Sequence, residues 1–190
     1  MRNLKYRFVL LSVTLGAVAT AGPAPAQVKE LVPGGFWVAP AATEIAHVDP
    51  TLLETLDAAI LEDPDDASAY MQRGLLFNHL EKEDRAIADF SEVIRIAPEN
   101  VDAYNFRGTL YYRRAQLKRA LADFERAIVL APEFSVLYFN RAYVRRDLGD
   151  LEGAIVDFNQ GAALAEQQGD AATAAEARAA IAELTTQLPR

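Results

Sequence analysis

From residue 50 onward, apolar and polar positions alternate with a helical rhythm, and the rhythm itself repeats. Alanine at 86, 120 and 154 is followed four residues later by phenylalanine at 90, 124 and 158. Each pair shares one helix face, a small residue beside a large one. Val93, Ala127 and Gly161 continue that seam, and Pro98 and Pro132 end two of the helices. A preceding helix in each unit carries Tyr70, Tyr104 or Tyr138, with a small residue four positions on at Gly74, Gly108 or Ala142. Glycine inside a helix costs about 1 kcal/mol of propensity. Its use at that register predicts a close approach by another helix. Every one of these positions recurs at a spacing of thirty-four. Such a period predicts stacked copies of one helical unit rather than a single globular core.

The units run 67–100, 101–134 and 135–168. Leu52, Leu53, Leu56, Ala59 and Ile60 form one more apolar face, with Asp49 as its N-cap and Pro50 at the first helical position. Pro64 is in register with Pro98 and Pro132, so 49–66 is the second helix of a partial unit. The third unit decays at its end, where Gly161 replaces a larger residue and Glu166 stands in place of proline. A last helix, 171–188, presents Ala174, Ala177, Ile181, Leu184 and Leu188 on one face and Glu176, Glu183 and Gln187 on the other, which reads as a terminal cap. Residues 27–48 do not fit the repeat and are expected to be irregular. Pro33-Gly34-Gly35 marks a turn there, a short helix could run from Ala41 to His47, and Phe36 with Trp37 is expected to cap the open N-terminal end of the array, the alternative being a partner-binding arm.

Composition narrows the setting. Arg2, Lys5 and Arg7, an apolar run from Phe8 to Ala19 and the small residues through Ala26 read as a signal peptide, 1–26, cleaved after Ala26 or Ala21. This predicts export across the inner membrane to the periplasm, without stable membrane insertion after cleavage. The precursor has a formal charge of -8, and loss of the three basic residues takes it to about -11. Nucleic acid is disfavoured as a partner. Cysteine is absent, so neither disulfides nor thiol chemistry contribute. The two histidines, His47 and His79, lie on unrelated segments, and no phosphate loop, nucleophile elbow or calcium loop is present. The expectation is a non-enzyme with no cofactor and no metal.

The order of small and large residues resembles the tetratricopeptide repeat. The second unit shows the pattern best, with Tyr104, Gly108, Tyr111, Ala120, Phe124, Ala127 and Pro132 in the family's positions. The first has Tyr70, Gly74, Phe77, Ala86, Phe90, Val93 and Pro98, and the third has Tyr138, Ala142, Ala154 and Phe158. The family's Leu before the small position is replaced throughout, by Arg73, Arg107 and Arg141, and Arg145 replaces the third unit's second aromatic. With Asp89, Asp123 and Asp157, the repeated arginines are expected to form ion pairs within or between units, as scaffold rather than ligand ladder.

The resemblance implies an all-α solenoid of antiparallel helix pairs in a right-handed superhelix. The first helix of each pair would line a concave groove. Register then points to Met71, Leu75 and Asn78 in the first unit, with Ser68 and His79 beside them. It points to Asp102, Asn105, Thr109, Tyr112 and Arg113 in the second, and to Val136, Phe139, Tyr143, Arg146 and Asp147 in the third. Such a groove starts apolar, has a polar middle and ends aromatic and basic, which suits a peptide or helix better than a metabolite. Tyr112 and Tyr143 are either hot-spot aromatics or packed on neighbouring helices. Arg113 and Arg146 could anchor an anion, although plain solvation is the simpler reading. The branch of the family that clamps C-terminal carboxylates uses Lys and Asn where this chain has Met71 and Leu75, which argues against that ligand. The function expected is a protein–protein interaction module, an adaptor in the cell envelope. The alternative is a structural or oligomerisation component of an envelope assembly.

Overall fold

The computed structural model describes residues 30–32, 36–38 and 50–188. The expected signal segment, the Asp49 cap and the helix at Ala41 to His47 lie outside the described residues. The described residues form a short antiparallel strand pair, β1 (Glu30–Val32) and β2 (Phe36–Val38), then eight helices. The helices are α1 (Pro50–Glu62), α2 (Ala67–His79), α3 (Glu83–Ile96), α4 (Val101–Arg113), α5 (Leu117–Leu130), α6 (Ser135–Asp147), α7 (Leu151–Gln167) and α8 (Ala171–Gln187). Antiparallel pairs α2/α3, α4/α5 and α6/α7 stack in sequence order, with α1 before them and α8 after, in a right-handed solenoid.

Local chemistry starts and stops these helices. Asp66, Asn100, Asp150 and Asp170 each accept a backbone N–H from the first turn of the helix that follows, at 2.9–3.0 Å. α3 and α5 end at Ile96 and Leu130, ahead of Pro98 and Pro132. With Glu166 in proline's place, α7 continues to Gln167 and is three residues longer than α5. The turns between the two helices of each pair pass through Glu81 (φ 57°), Ala115 (φ 56°) and Gly149 (φ 85°), left-handed residues thirty-four apart.

The seam of alanine and phenylalanine is the core. Ala86, Ala120 and Ala154 are buried, as are Phe90, Phe124 and Phe158. A Cβ added at Gly108 would stand 3.0 Å from the Phe124 ring, and one at Gly74 would stand 2.8 Å from the Phe90 ring. The close approach predicted at these glycines is therefore to the phenylalanine of the partner helix. Phe90 also stacks on Phe106 of the next unit, with centroids 5.4 Å apart. α8 covers the far end, where Ala174, Ala177 and Leu184 join Ala162 and Ala165 in one cluster.

The N-terminal segment differs from its sequence-based reading twice. It holds β1 and β2 where an irregular stretch is expected. Strand-favouring residues flank the Pro-Gly-Gly sequence on both sides, which favours a hairpin pairing of Leu31 with Trp37. Nor does β2 sit at the open end by α1. It runs along α6 and meets α4.

Candidate partner-binding groove

The face that repeats and the face that varies are held by different side chains. On the repeating side, Arg73, Arg107 and Arg141 each grip the aspartate sixteen residues on through two hydrogen bonds. The distances are 2.9 and 2.7 Å to Asp89, 2.9 and 2.8 Å to Asp123, and 2.9 and 2.7 Å to Asp157. This fork joins the two helices of one unit. The remaining nitrogen of Arg73 reaches back to Asp57 on α1 at 2.7 Å, and that of Arg107 to Ser91 on α3 at 3.0 Å. Each guanidinium also lies over the tyrosine one turn earlier, 5.4 Å from Tyr70, 5.9 Å from Tyr104 and 5.7 Å from Tyr138. The conspicuous tyrosines and the arginines in the leucine position thus form one device. Burial pushes the Asp123 carboxyl above the ordinary carboxylate range, and its two bonds from Arg107 oppose that push. All of these groups are satisfied within the scaffold.

The first helices, α2, α4 and α6, carry the varying face. Neighbouring first helices are linked by hydrogen bonds between residues thirty-five apart. Arg113 donates to Asn78 at 3.1 Å, Asn140 to Asn105 at 2.9 Å, and the Tyr112 hydroxyl to Asp147 at 2.5 Å. Burial pushes the Tyr112 phenol well up, and the bond to Asp147 raises it further, so it stays protonated as a donor. Asn140 and Asp147 are therefore part of the groove's framework; register points to Asp147 but not to Asn140. A spacing one longer than the period is the signal that would have found Asn140 and both pairings.

The residues that register points to are held in different ways. Met71 and Leu75 are half-buried against the Phe77, Phe90 and Phe106 cluster. Asn105 and Thr109 are buried, and the Thr109 hydroxyl donates back to the Asn105 carbonyl at 2.8 Å. Phe139 is buried as well, but against α7, where its ring would meet a Cβ at Gly161 at 2.5 Å. Gly161 is thus a fitted site for Phe139 rather than a decayed seam position. Tyr143 is packed edge-on against Phe158 at 5.1 Å and carries Arg146 over its ring at 5.0 Å. Tyr112 packs beside Phe124 and Val144.

The basic end is not simply solvated. Arg113 pairs with Glu83 at 2.7 Å, and Arg146 pairs with Asp147 at 2.8 Å. Asn78 is half-buried and already bonded to Arg113. The cations of the groove thus have internal counter-charges, and an anionic ligand would have to compete with them. Among the described residues, no group of His, Cys, Asp and Glu is placed to hold a metal ion, and no helix is long and apolar enough to cross a membrane.

Comparison with known proteins agrees with this architecture. Tetratricopeptide repeat models match residues 53–101, 101–134 and 136–168. No curated protein matches the chain. Among solved structures, the TPR2B domain–pHsp70 complex of yeast Sti1 is similar at 19% identity and TM-score 0.60, over 64% of this chain and 98% of that one. The first TPR of Spaghetti (RPAP3), bound to the HSP90 peptide SRMEEVD, is 21% identical with TM-score 0.57, over 66% of this chain and 94% of that one. MamA 41-end from Desulfovibrio magneticus RS-1 is 20% identical with TM-score 0.55, over 73% and 86%. At these identities the likeness speaks for the fold alone. With three matches that together cover more than half of its length, the chain belongs to the tetratricopeptide repeat family.

Proposed function

We propose that this chain is a non-enzymatic adaptor of the cell envelope that holds an extended or helical segment of another protein against α2, α4 and α6. One observation carries the reading. The Arg–Asp forks and the Ala–Phe seam are the same in every unit, whereas the first-helix face changes from Met71 and Leu75 to Asn105 and Thr109 to Phe139 and Tyr143. A face free to vary on a constant frame is where partner specificity can reside. Support also comes from fold relatives whose names record a bound peptide or a pHsp70 complex. The family's fold typically serves as an interaction scaffold, and no reaction chemistry is assigned. The N-terminal basic, apolar and small-residue order supports export, and hence the envelope setting.

Crosslinked pull-down from the native envelope extract tests this, comparing the wild-type chain with Tyr112→Ala/Arg113→Ala at matched helicity. A dominant partner lost from the variant is the expected result. Equal recovery by both proteins contradicts groove binding.

A further inference from the structure

β2 crosses helices that belong to the varying face. It runs along α6 and meets α4, the first helices of the third and second units, and it pairs with β1. A two-stranded hairpin is marginal in water by itself and needs a surface to pack on. α4 and α6 supply that surface.

Burial along the face is consistent with this cover. The apolar residues Met71 and Leu75 on α2, outside the run of β2, are only half-buried. Their polar counterparts in register on α4, Asn105 and Thr109, are 2% and 6% exposed, and those on α6 are the buried Phe139 and the half-buried Tyr143. Hydrophobicity alone would give the opposite order. Part of the difference comes from position, since α4 has a first helix on each side and α2 has only one. Charge points the same way. Arg113 and Arg146 are already paired with Glu83 and Asp147, so this stretch favours an apolar extended segment over an ionic one.

We propose that the groove over α4 and α6 takes an extended, strand-forming apolar segment, that this chain's own β2 is its resident occupant, and that a partner's segment binds there by displacing it. The proposal rests on the groove reading and adds the class of ligand and a competition in cis. A tethered occupant acts at an effective concentration of millimolar order, so it selects against weak or charged segments. A partner of similar extended, aromatic and branched apolar character competes on equal chemical terms.

The chain offers a clean probe, because Trp37 in β2 is its single tryptophan and cysteine is absent. A short-range thiol-linked quencher is placed at Asp102→Cys, at the start of α4. It is also placed at Glu54→Cys on α1 and Glu183→Cys on α8. All three positions are exposed and lie outside the core. Trp37 emission is expected to fall severalfold more with the label on α4 than with it on α1 or α8. Excess synthetic peptide spanning 30–38, with Phe in place of Trp37, is expected to relieve that quenching. Equal quenching from all positions, or stronger quenching from 54, overturns the seat in the groove. Quenching on α4 that the peptide cannot relieve overturns displacement. No partner protein enters the measurement, so its failure is distinct from failure of the pull-down.

Discussion

The second and third units carry the same Arg–Tyr–Asp device but complete it differently. In the second, Tyr111 occupies the second aromatic position of α4 and Arg119 of α5 lies over its ring at 5.5 Å, as Arg85 lies over Phe77 in the first unit at 5.4 Å. In the third, the aromatic has become Arg145 and the arginine has become Gly153. Cation and stacking partner are lost as a pair. Arg145 instead donates to the Gly153 carbonyl at 3.3 Å and to Asp157 at 2.9 Å. Asp123 therefore has one arginine, whereas Asp157 has two. A repeat tolerates such an exchange when the buried carboxylate stays paired, because the fork and not the outer contact joins the two helices.

The largest effect should come from breaking the fork where it has no reserve. Arg107→Ala leaves Asp123 buried without its cation and should cost about 3–5 kcal/mol by chemical denaturation. Arg141→Ala should cost clearly less, because Arg145 still serves Asp157. Adding Arg145→Ala to Arg141→Ala should then cost more than the two single losses together. Equal losses for Arg107→Ala and Arg141→Ala would remove the distinction between the units.

A second difference lies in the seam, where the second unit has Ala127 and the third has Gly161. Gly161→Ala should cost about 1–3 kcal/mol, since its Cβ would press into the Phe139 ring at 2.5 Å. Trimming the ring with Phe139→Leu in the same chain should recover part of that loss, as read by melting temperature. If Gly161→Ala melts with the wild type, Phe139 does not depend on that glycine.

The turns differ as well. Ala115 is held at φ 56° where the third unit has Gly149 at φ 85°. Ala115→Gly should stabilise by about 1 kcal/mol through relief of the left-handed strain, whereas Gly149→Ala should destabilise by a similar amount. A loss on Ala115→Gly would mean that unfolded-chain entropy outweighs the strain.

The smallest effect concerns the bridge between the two units. The folded Tyr112 phenol is raised above its unfolded value of 10.0. Its contribution is fully present below pH 10 and is lost as pH rises through the higher folded value. Tyr112→Phe should lower stability modestly at neutral pH and flatten the alkaline end of the stability curve. An unchanged alkaline limb would show that burial and the bond to Asp147 do not hold the Tyr112 phenol protonated in solution.

Much of this architecture was legible because steric fit repeats. Phe124 needs a small residue at 108 and alanine at 120, and each copy of the geometry repeats that need, so the period itself points to core, pair and stack. The Arg–Asp fork was readable for the same reason. The groove was only partly legible. Register says which row a residue occupies, but rotamer and neighbours decide where it points. Phe139 shares the row of Asn105, yet its ring enters the gap that Gly161 leaves. The cross-unit bonds from Asn140 to Asn105 and from Tyr112 to Asp147 fall one residue outside the period and so escape a search in register. β2 was missed because a short hairpin that takes its support from distant helices has little signal of its own.

The most direct test of the division between constant frame and variable face compares partner recovery per folded molecule for Arg107→Ala and for Tyr112→Ala/Arg113→Ala. Arg107→Ala should melt far lower yet recover the partner at the wild-type level once corrected for folded fraction, while the groove variant should stay folded and lose it. Loss of the partner by folded Arg107→Ala, with full recovery by the groove variant, would place specificity on the Arg–Asp face and contradict the assignment made here.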